Sequence, residues 1–421
     1  MYKSLLIIIA VLFSACSQTI PAPQDPSKKV FEAEDAYILY ALRAEEVGRF
    51  DVAAEFFSKL YDQTRKREYL YRYLGDLLHE QQFQKVIQKI SQIDPEEKDS
   101  KLVRIKIIAY LYNKEFEKSN ALALKLVRST KDTQDYLLVA QTYIKLKNYK
   151  MALKYLEGAY NKNYDPKILD QISIIMYVNL QRPKDAIAQL ETHARMFGCN
   201  SIICKRLIAF YSDQNDVDGI LSVYKRMYKK EKNEEILRKI IQLYMYKKDY
   251  LSLEEFLKKN KVENEILLEL YITTKQYQKA SDMAYKLYEK TKKIDYLAQA
   301  SIYEYEGLKD KSKDKLQKIV KNLQKVVKEN PKPLYLNYLG YLLIDHDIDI
   351  RKGIKYVQKA LKQKPNAPYY LDSLGWGYYK LGECKKADEI FSRLRKIEGS
   401  EEKEIQEHYQ KILECIKGRK K

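Results

Sequence analysis

An aromatic residue returns at Phe50, Phe83, Phe116 and Tyr149, each 33 residues after the last. A second ladder runs Tyr110, Tyr143, Tyr177, Tyr211 and Tyr244, in steps of 33 or 34. Two registers sharing one period require a chain that repeats a single supersecondary unit, and that length suits two helices joined by a turn. One such unit cannot bury a core alone, so units must stack.

The segment 133–166 shows the pattern. Tyr136, Val139, Ala140 and Tyr143 fall at i, i+3, i+4 and i+7, one stripe of a first helix. Residues 145–148, Lys-Leu-Lys-Asn, make the turn, and Tyr149, Ala152, Tyr155, Leu156 and Ala159 form the stripe of a second helix. Ala152 is small because two helices must approach closely there. Small or modest residues recur at the equivalent place, at Ala53, Ser119, Ala186, Ala280, Gly353 and Ala387. Asp165 and Pro166 then stop the second helix, since proline disfavours helical continuation before it.

Stepping this template along the chain predicts about eleven units, beginning near 34, 67, 100, 133, 167, 201, 234, 261, 294, 333 and 368. With 421 residues but only 13 Gly and 10 Pro, the chain is too long for one compact core and reads as nearly all helix. The unit from 234 is short and that from 294 is long. The second helix of the long unit carries Leu316, Ile319, Val320, Leu323, Val326 and Val327 on one face. Lys311, Lys313, Lys315, Lys318, Lys321, Lys325 and Lys328 share that stretch, and we read them as a solvated face, with contact to anionic lipid as the sharper alternative. Residues 401–418 read as the polar capping helix that an open stack needs, ahead of a basic tail to 421.

The start of the chain is expected to be a targeting segment. Lys3 precedes an apolar run from Leu5 to Phe13, too short to span a bilayer, and Ser14 and Ala15 lead into Cys16. Residues 1–15 resemble a bacterial lipoprotein signal peptide, which implies lipidation of Cys16. Phe13 stands where that pattern prefers leucine, and an ordinary secretory peptide is the alternative. Residues 16–33 then form a tether with three prolines in its first part. Ser17, where an aspartate would favour inner-membrane retention in that family, implies outer-membrane attachment facing the periplasm.

In an oxidising compartment the four remaining cysteines, Cys199, Cys204, Cys384 and Cys415, permit two disulfides. Cys384 with Cys415 is the pairing expected first, because the last helix can fold back over the last repeat. Cys199 with Cys204 is expected less, since one of them sits in a loop. No Cys-x-x-Cys pair exists and the four histidines are far apart, so no metal is expected.

The last two units carry a recognisable signature. Residues 333–365 contain Leu336, Leu339, Gly340, Leu343, Gly353 and Ala360, and those from 368 contain Leu371, Leu374, Gly375, Tyr378, Gly382, Ala387, Phe391 and Leu394. This pair, within 333–400, resembles the tetratricopeptide repeat, and its paired Leu-Gly phrases are similar to those in bacterial tetratricopeptide lipoproteins. Residues 34–332 keep the period but mostly lack the glycines, as degenerate repeats. The resemblance implies an all-α, right-handed superhelical solenoid of about eleven such repeats that binds protein partners along the concave groove lined by its first helices.

Groove positions in the last two units are Asn337, Tyr338, Tyr341, Tyr369, Asp372, Ser373, Trp376 and Tyr379. Trp and Tyr suit a binding hot spot. The alternative for Trp376, the only Trp in the chain, is burial under the helix after 401. In the middle units the groove offers Arg104, Lys205, Arg206, Arg238 and Lys239, which suit an acidic or C-terminal carboxylate ligand or serve solubility alone.

The net charge of +19, from 77 Lys plus Arg against 58 Asp plus Glu, permits acidic partners, anionic membrane or nucleic acid. The lysines are spread along the chain, and export argues against nucleic acid. Asp345-His346-Asp347-Ile348-Asp349 lies between two helices, where Asp serves turns and N-caps, so no acid–base or metal role is assigned. No phosphate loop, nucleophile turn or cofactor motif is present. The expectation is a non-enzymatic, lipid-tethered periplasmic adaptor in outer-membrane assembly, secretion or cell-wall machinery. An envelope protein binding anionic lipid or cell-wall polymer, or an activator subunit of an envelope enzyme, is the alternative.

Overall fold

The helix starts follow from side chains placed to accept the first free amide protons. Asp99, Asp132, Asp165 and Asn200 cap first helices in this way, and Asn148, Asp216, Asp249 and Asp349 cap second helices. The computed structural model describes residues 31–262, 264–398 and 401–418. The proposed signal segment, Cys16 and the tether up to residue 30 lie outside them, as do residues 419–421. Among the described residues there are twenty-three α-helices and no strand.

The chain divides into two compact units, one ending at Ile236 and the other starting at Leu237. In the first, six helical pairs follow one another: α1 Glu34–Glu46 with α2 Phe50–Thr64, α3 Arg67–His79 with α4 Phe83–Ile93, and α5 Ser100–Tyr112 with α6 Phe116–Thr130. Then come α7 Thr133–Lys145 with α8 Tyr149–Asn163, α9 Pro166–Ile174 with α10 Pro183–Phe197, and α11 Ser201–Asp213 with α12 Val217–Lys230. Helix α13, Glu234–Lys247, falls almost wholly in the second unit and is followed by α14 Tyr250–Lys259. Next are α15 Asn264–Thr273 with α16 Tyr277–Thr291, and α17 Ile294–Gly307 with α18 Lys313–Glu329. The unit closes with α19 Pro333–Asp345 and α20 Ile350–Gln363, α21 Pro368–Lys380 and α22 Cys384–Leu394, and a last helix, α23 Lys403–Gly418. The all-α reading and the eleven repeats therefore hold, including the short α14 and the long α18.

Ten of the eleven pairs turn on one residue with a left-handed backbone, Asp347 among them; the α17–α18 turn over residues 308–312 has none. Gly48 and Gly382 fill that place in the first and last turns, but Gln81, Lys114, Lys147, Gln181, Asn215, Lys248 and Lys275 fill it elsewhere, all with positive φ. The conformation lets the amide of the next residue reach back five residues: Glu115 to the carbonyl of Tyr110 at 2.9 Å, Asn148 to Tyr143 at 2.9 Å and Asp216 to Tyr211 at 2.8 Å. The second aromatic ladder thus marks the residues whose carbonyls close the turns, except at Tyr177, where Arg182 reaches the carbonyl of Met176 at 2.8 Å. Its step of 34 at Tyr177 has a local cause. Helix α9 continues into a π-helical turn, Ile175–Asn179, which absorbs one extra residue before the chain reverses.

The helix crossings are as tight as the sequence requires. Ala53, Ser119, Ala152, Ala186, Ala280 and Ala387 are all 0 % exposed. At the α19–α20 crossing two glycines face each other: a Cβ on Gly353 would lie 2.6 Å from the Gly340 carbonyl oxygen, and one on Gly340 would lie 2.8 Å from that of Gly353. The first aromatic ladder joins neighbouring pairs. The ring of Phe50 stacks on His79 at 4.2 Å and that of Phe83 on Tyr112 at 5.8 Å, each time at the end of the next first helix.

Both cysteine pairs form disulfides. Cys384 and Cys415 join α22 to α23 across 6.0 Å between Cα atoms. The less expected pair, Cys199 and Cys204, also bonds, because the connector residue Cys199 and the first turn of α11 lie 5.4 Å apart.

Two predictions follow from this packing. Gly340→Ala should cost about 1–3 kcal/mol, since the added methyl meets backbone that cannot move without parting the helices; chemical denaturation monitored by circular dichroism measures it. Asp76 on α3 is buried, and its Oδ2 has no hydrogen-bond partner among the described residues. Burial and then the nearby Glu45 push its pKa up to about 8 from 3.8. The folded state holds this proton more tightly, so the stability it contributes is complete below pH 3.8 and is lost as pH rises towards 8. Asp76→Asn should therefore be more stable than the parent at pH 8 and lose that advantage by pH 4, as read from denaturation midpoints across that range.

Candidate partner-binding surface

In the second unit the first helices α17, α19 and α21 present aromatic side chains, and α23 lies against α21 and α22. Positions 334, 338 and 341 of α19 fall at i, i+4 and i+7, which places Leu334, Tyr338 and Tyr341 on one stripe. Leu334 is 55 % exposed, while the two tyrosines are half-buried. The hydroxyl of Tyr338 donates to Glu306 at 2.6 Å, and that of Tyr341 donates to Glu404 of α23 at 2.8 Å. Burial pushes both phenols well above their ordinary range, and the neighbouring carboxylates push them further. Both remain protonated donors at neutral pH. Tyr369, at the start of α21, is 55 % exposed.

Deeper in, Trp376 takes the capped alternative. Its ring lies between His408 of α23, centroids 4.0 Å apart, and Tyr379, 4.8 Å apart, and only 5 % of the residue is exposed. Its indole N–H donates to Asp345 at 3.0 Å. Lys411 and Lys380 lie over the same ring at 5.0 and 5.7 Å. The Asp372 carboxylate meets Nδ1 of His408 at 3.0 Å, and burial raises its pKa while His408 opposes the rise. Ser373 is buried and turns its hydroxyl back to the carbonyl of Tyr369 at 2.8 Å. Asn337 is buried, with its Oδ1 unpaired among the described residues. Of the eight predicted groove positions, Tyr369 is exposed and Tyr338, Tyr341 and Tyr379 are half-buried, whereas Asn337, Asp372, Ser373 and Trp376 are interior. For those four, exposure along the groove is corrected. Their own helix, the neighbouring first helices or α23 cover them.

The arginines also differ from their expected role. Arg104 makes a two-pronged pair with Asp135, at 2.7 and 2.9 Å, and Arg206 does the same with Asp170, at 2.6 and 3.1 Å. Each ties one first helix to a neighbouring first helix, so neither guanidinium waits for a ligand carboxylate. Lys205 in the first unit and Arg238 and Lys239 in the second are exposed.

Sequence reasoning missed Tyr305, Glu306, Glu404 and His408. Tyr305 packs edge-on against Tyr338 at 5.8 Å and bonds His346 Nε2 at 3.0 Å, where burial lowers the His346 pKa. The spacing Ile405, His408, Ile412 was the available signal, since it puts the histidine on the stripe that α23 buries. The Asp345–Asp349 run serves structure: Asp345 receives the indole, Asp347 pairs with Lys380 at 2.9 Å, and Asp349 caps α20. Among the described residues no group of His, Cys, Asp or Glu could hold a metal ion. The titratable groups here bond one another, and the arrangement offers contact surface in place of reactive groups facing a cleft.

No protein-family model matches the chain, and no curated protein matches it. Solved structures similar to it include MamA from Desulfovibrio magneticus RS-1, 13% identical over 39% of this chain and 94% of that one, with a TM-score of 0.34. The Cut9–Hcn1 hetero-tetramer of the APC/C is 12% identical over 98% of this chain and 86% of that one, with a TM-score of 0.34. Naa15/Naa10 bound to HypK is 10% identical over 86% and 68%, with a TM-score of 0.29. The helical-pair fold rests on the chain's own helices.

The position of Trp376 yields a direct test. Emission from this sole Trp should be that of a shielded indole, and deletion of residues 401–421 should red-shift it and raise acrylamide quenching several-fold. An unchanged spectrum would mean that α23 does not cover the ring.

Proposed function

We propose that this chain is a non-catalytic adaptor that binds a protein partner on the Leu334–Tyr338–Tyr341–Tyr369 face of its last repeats. The observation that carries this reading is an aromatic face with polar tips: Leu334 and Tyr369 stand exposed beside two half-buried tyrosines whose hydroxyls engage Glu306 and Glu404. Such a face buries large area at small entropic cost while its rim supplies hydrogen bonds. The carboxylates favour a partner segment bearing Lys or Arg.

The compartment belongs to the same proposal. The lipoprotein-like segment ending at Cys16 supports an outer-membrane anchor facing the periplasm, and the two disulfides suit that oxidising space. The tether would raise the local concentration of the solenoid at the membrane, where outer-membrane assembly, secretion and cell-wall machineries work.

The test is affinity purification from detergent-solubilised membranes with the native chain and Leu334→Ala/Tyr369→Ala. Both side chains are more than half exposed, so the fold should persist. Recovery of a specific protein should fall about tenfold in the variant. Equal recovery from both would overturn this face as the docking site.

A further inference from the structure

The lysines are spread along the sequence, but the net positive charge is not. Helix α18 carries six lysines against Asp314 and Glu329, with Lys315 and Lys318 paired beyond it to Asp310 and Glu304 at 3.0 and 2.9 Å, and α20 carries Arg351, Lys352, Lys355, Lys359 and Lys362 with no carboxylate of its own. These 31 residues hold nine of the chain's nineteen net positive charges. The other second helices are closer to balance.

Geometry sharpens the contrast. On α20, positions 352, 355, 359 and 362 are all exposed and advance by three or four residues, so the lysines form one straight row opposite buried Ile354, Val357 and Ala360. Among the described residues none of the four has a carboxylate within ion-pair distance, unlike Arg104 and Arg206 on first helices. A cleft of about 250 Å³ lies between α18 and the turn entering α20, lined by Lys313, Lys321, Gln317, Gln324 and Ile348. Asp347, its one acidic neighbour, is held by Lys380.

We infer that this second-helix face of the second unit is a docking surface for an anionic phospholipid membrane. Repelling lysines left unpaired on a stable fold gain most from a surface that supplies many anions at once. Lysine, a mobile point charge, suits diffuse headgroups, whereas discrete phosphate or carboxylate recognition favours the arginine fork, and Arg351 is the only arginine here. Single-stranded nucleic acid would need a series of stacking rings, and the two helices hold only Tyr356, half-buried with Lys359 over its ring at 5.9 Å. Ile348, partly exposed at the cleft, adds an apolar contact at headgroup depth. This surface stands independently of the partner face above.

The test uses the full chain carrying Cys16→Ala, so that no acyl chain contributes, with phosphatidylcholine vesicles made with or without phosphatidylglycerol. Co-sedimentation should require phosphatidylglycerol and fall steeply with added KCl. K352E/K355E/K359E/K362E should weaken it about a hundredfold or more, and the glutamine versions should give a smaller loss. K145E/K150E/K154E/K167E, an equal charge change in the first unit, should weaken it less than about fivefold. Circular dichroism confirms that each variant is folded. Equal losses from the two quadruple reversals, equal binding to phosphatidylcholine alone, or displacement by inorganic phosphate at matched ionic strength would each overturn the inference.

Discussion

Two helices can lie close only where neither brings a large side chain to the crossing. In seven of the eleven repeats that condition is met by a buried methyl, hydroxymethyl or hydrogen, and Val86, Ile220, Leu253 and Leu316 stand at the equivalent place in the others. The rest of the structure depends on it. Close crossing fixes the distance the turn must span, and the left-handed residue closes that turn so tightly that a lysine or glutamine adopts φ near +57° to do so. A fixed turn in turn sets where the next aromatic ring lands. Where one residue too many entered α9, the helix widened into a π turn, and the crossing at Ala186 kept its place.

Charge is sorted by whether it finds a partner inside the fold. On first helices of the first unit, arginines are spent in forked pairs with Asp135 and Asp170, which tie adjacent repeats together. Such pairs orient elements more than they stabilise them, because desolvation offsets much of the attraction. On α20 no carboxylate among the described residues pairs with the lysine row, and the same kind of charge remains available to solvent. A basic composition thus describes two different physical situations. Only the positions of the carboxylates tell them apart.

The last helix shows how an open stack ends. Helix α23 sets Ile405 and Ile412 into the core beside Phe391 and Leu394, and lays His408 flat on Trp376. Its disulfide to α22 shortens the freedom of the unfolded chain. The indole that looked equally suited to a partner therefore completes the protein's own core, and partner contact moves outward to Tyr369 and Leu334.

Sequence alone determined the period, the all-helical class, the repeat starts and the small crossing residues. These are local consequences of spacing and side-chain size, which a linear pattern records. Even the concentration of net charge in α18 and α20 was written there, though hidden by lysines everywhere else. Tertiary structure decided what no spacing encodes: that Arg104 and Arg206 are consumed by aspartates some thirty residues away, that Trp376 is covered, and that Tyr338 and Tyr341 answer to Glu306 and Glu404. Those pairings depend on which faces of successive helices meet, and a shift of one residue along a helix rotates a side chain by about 100°. The pattern names the face; only packing names the neighbour.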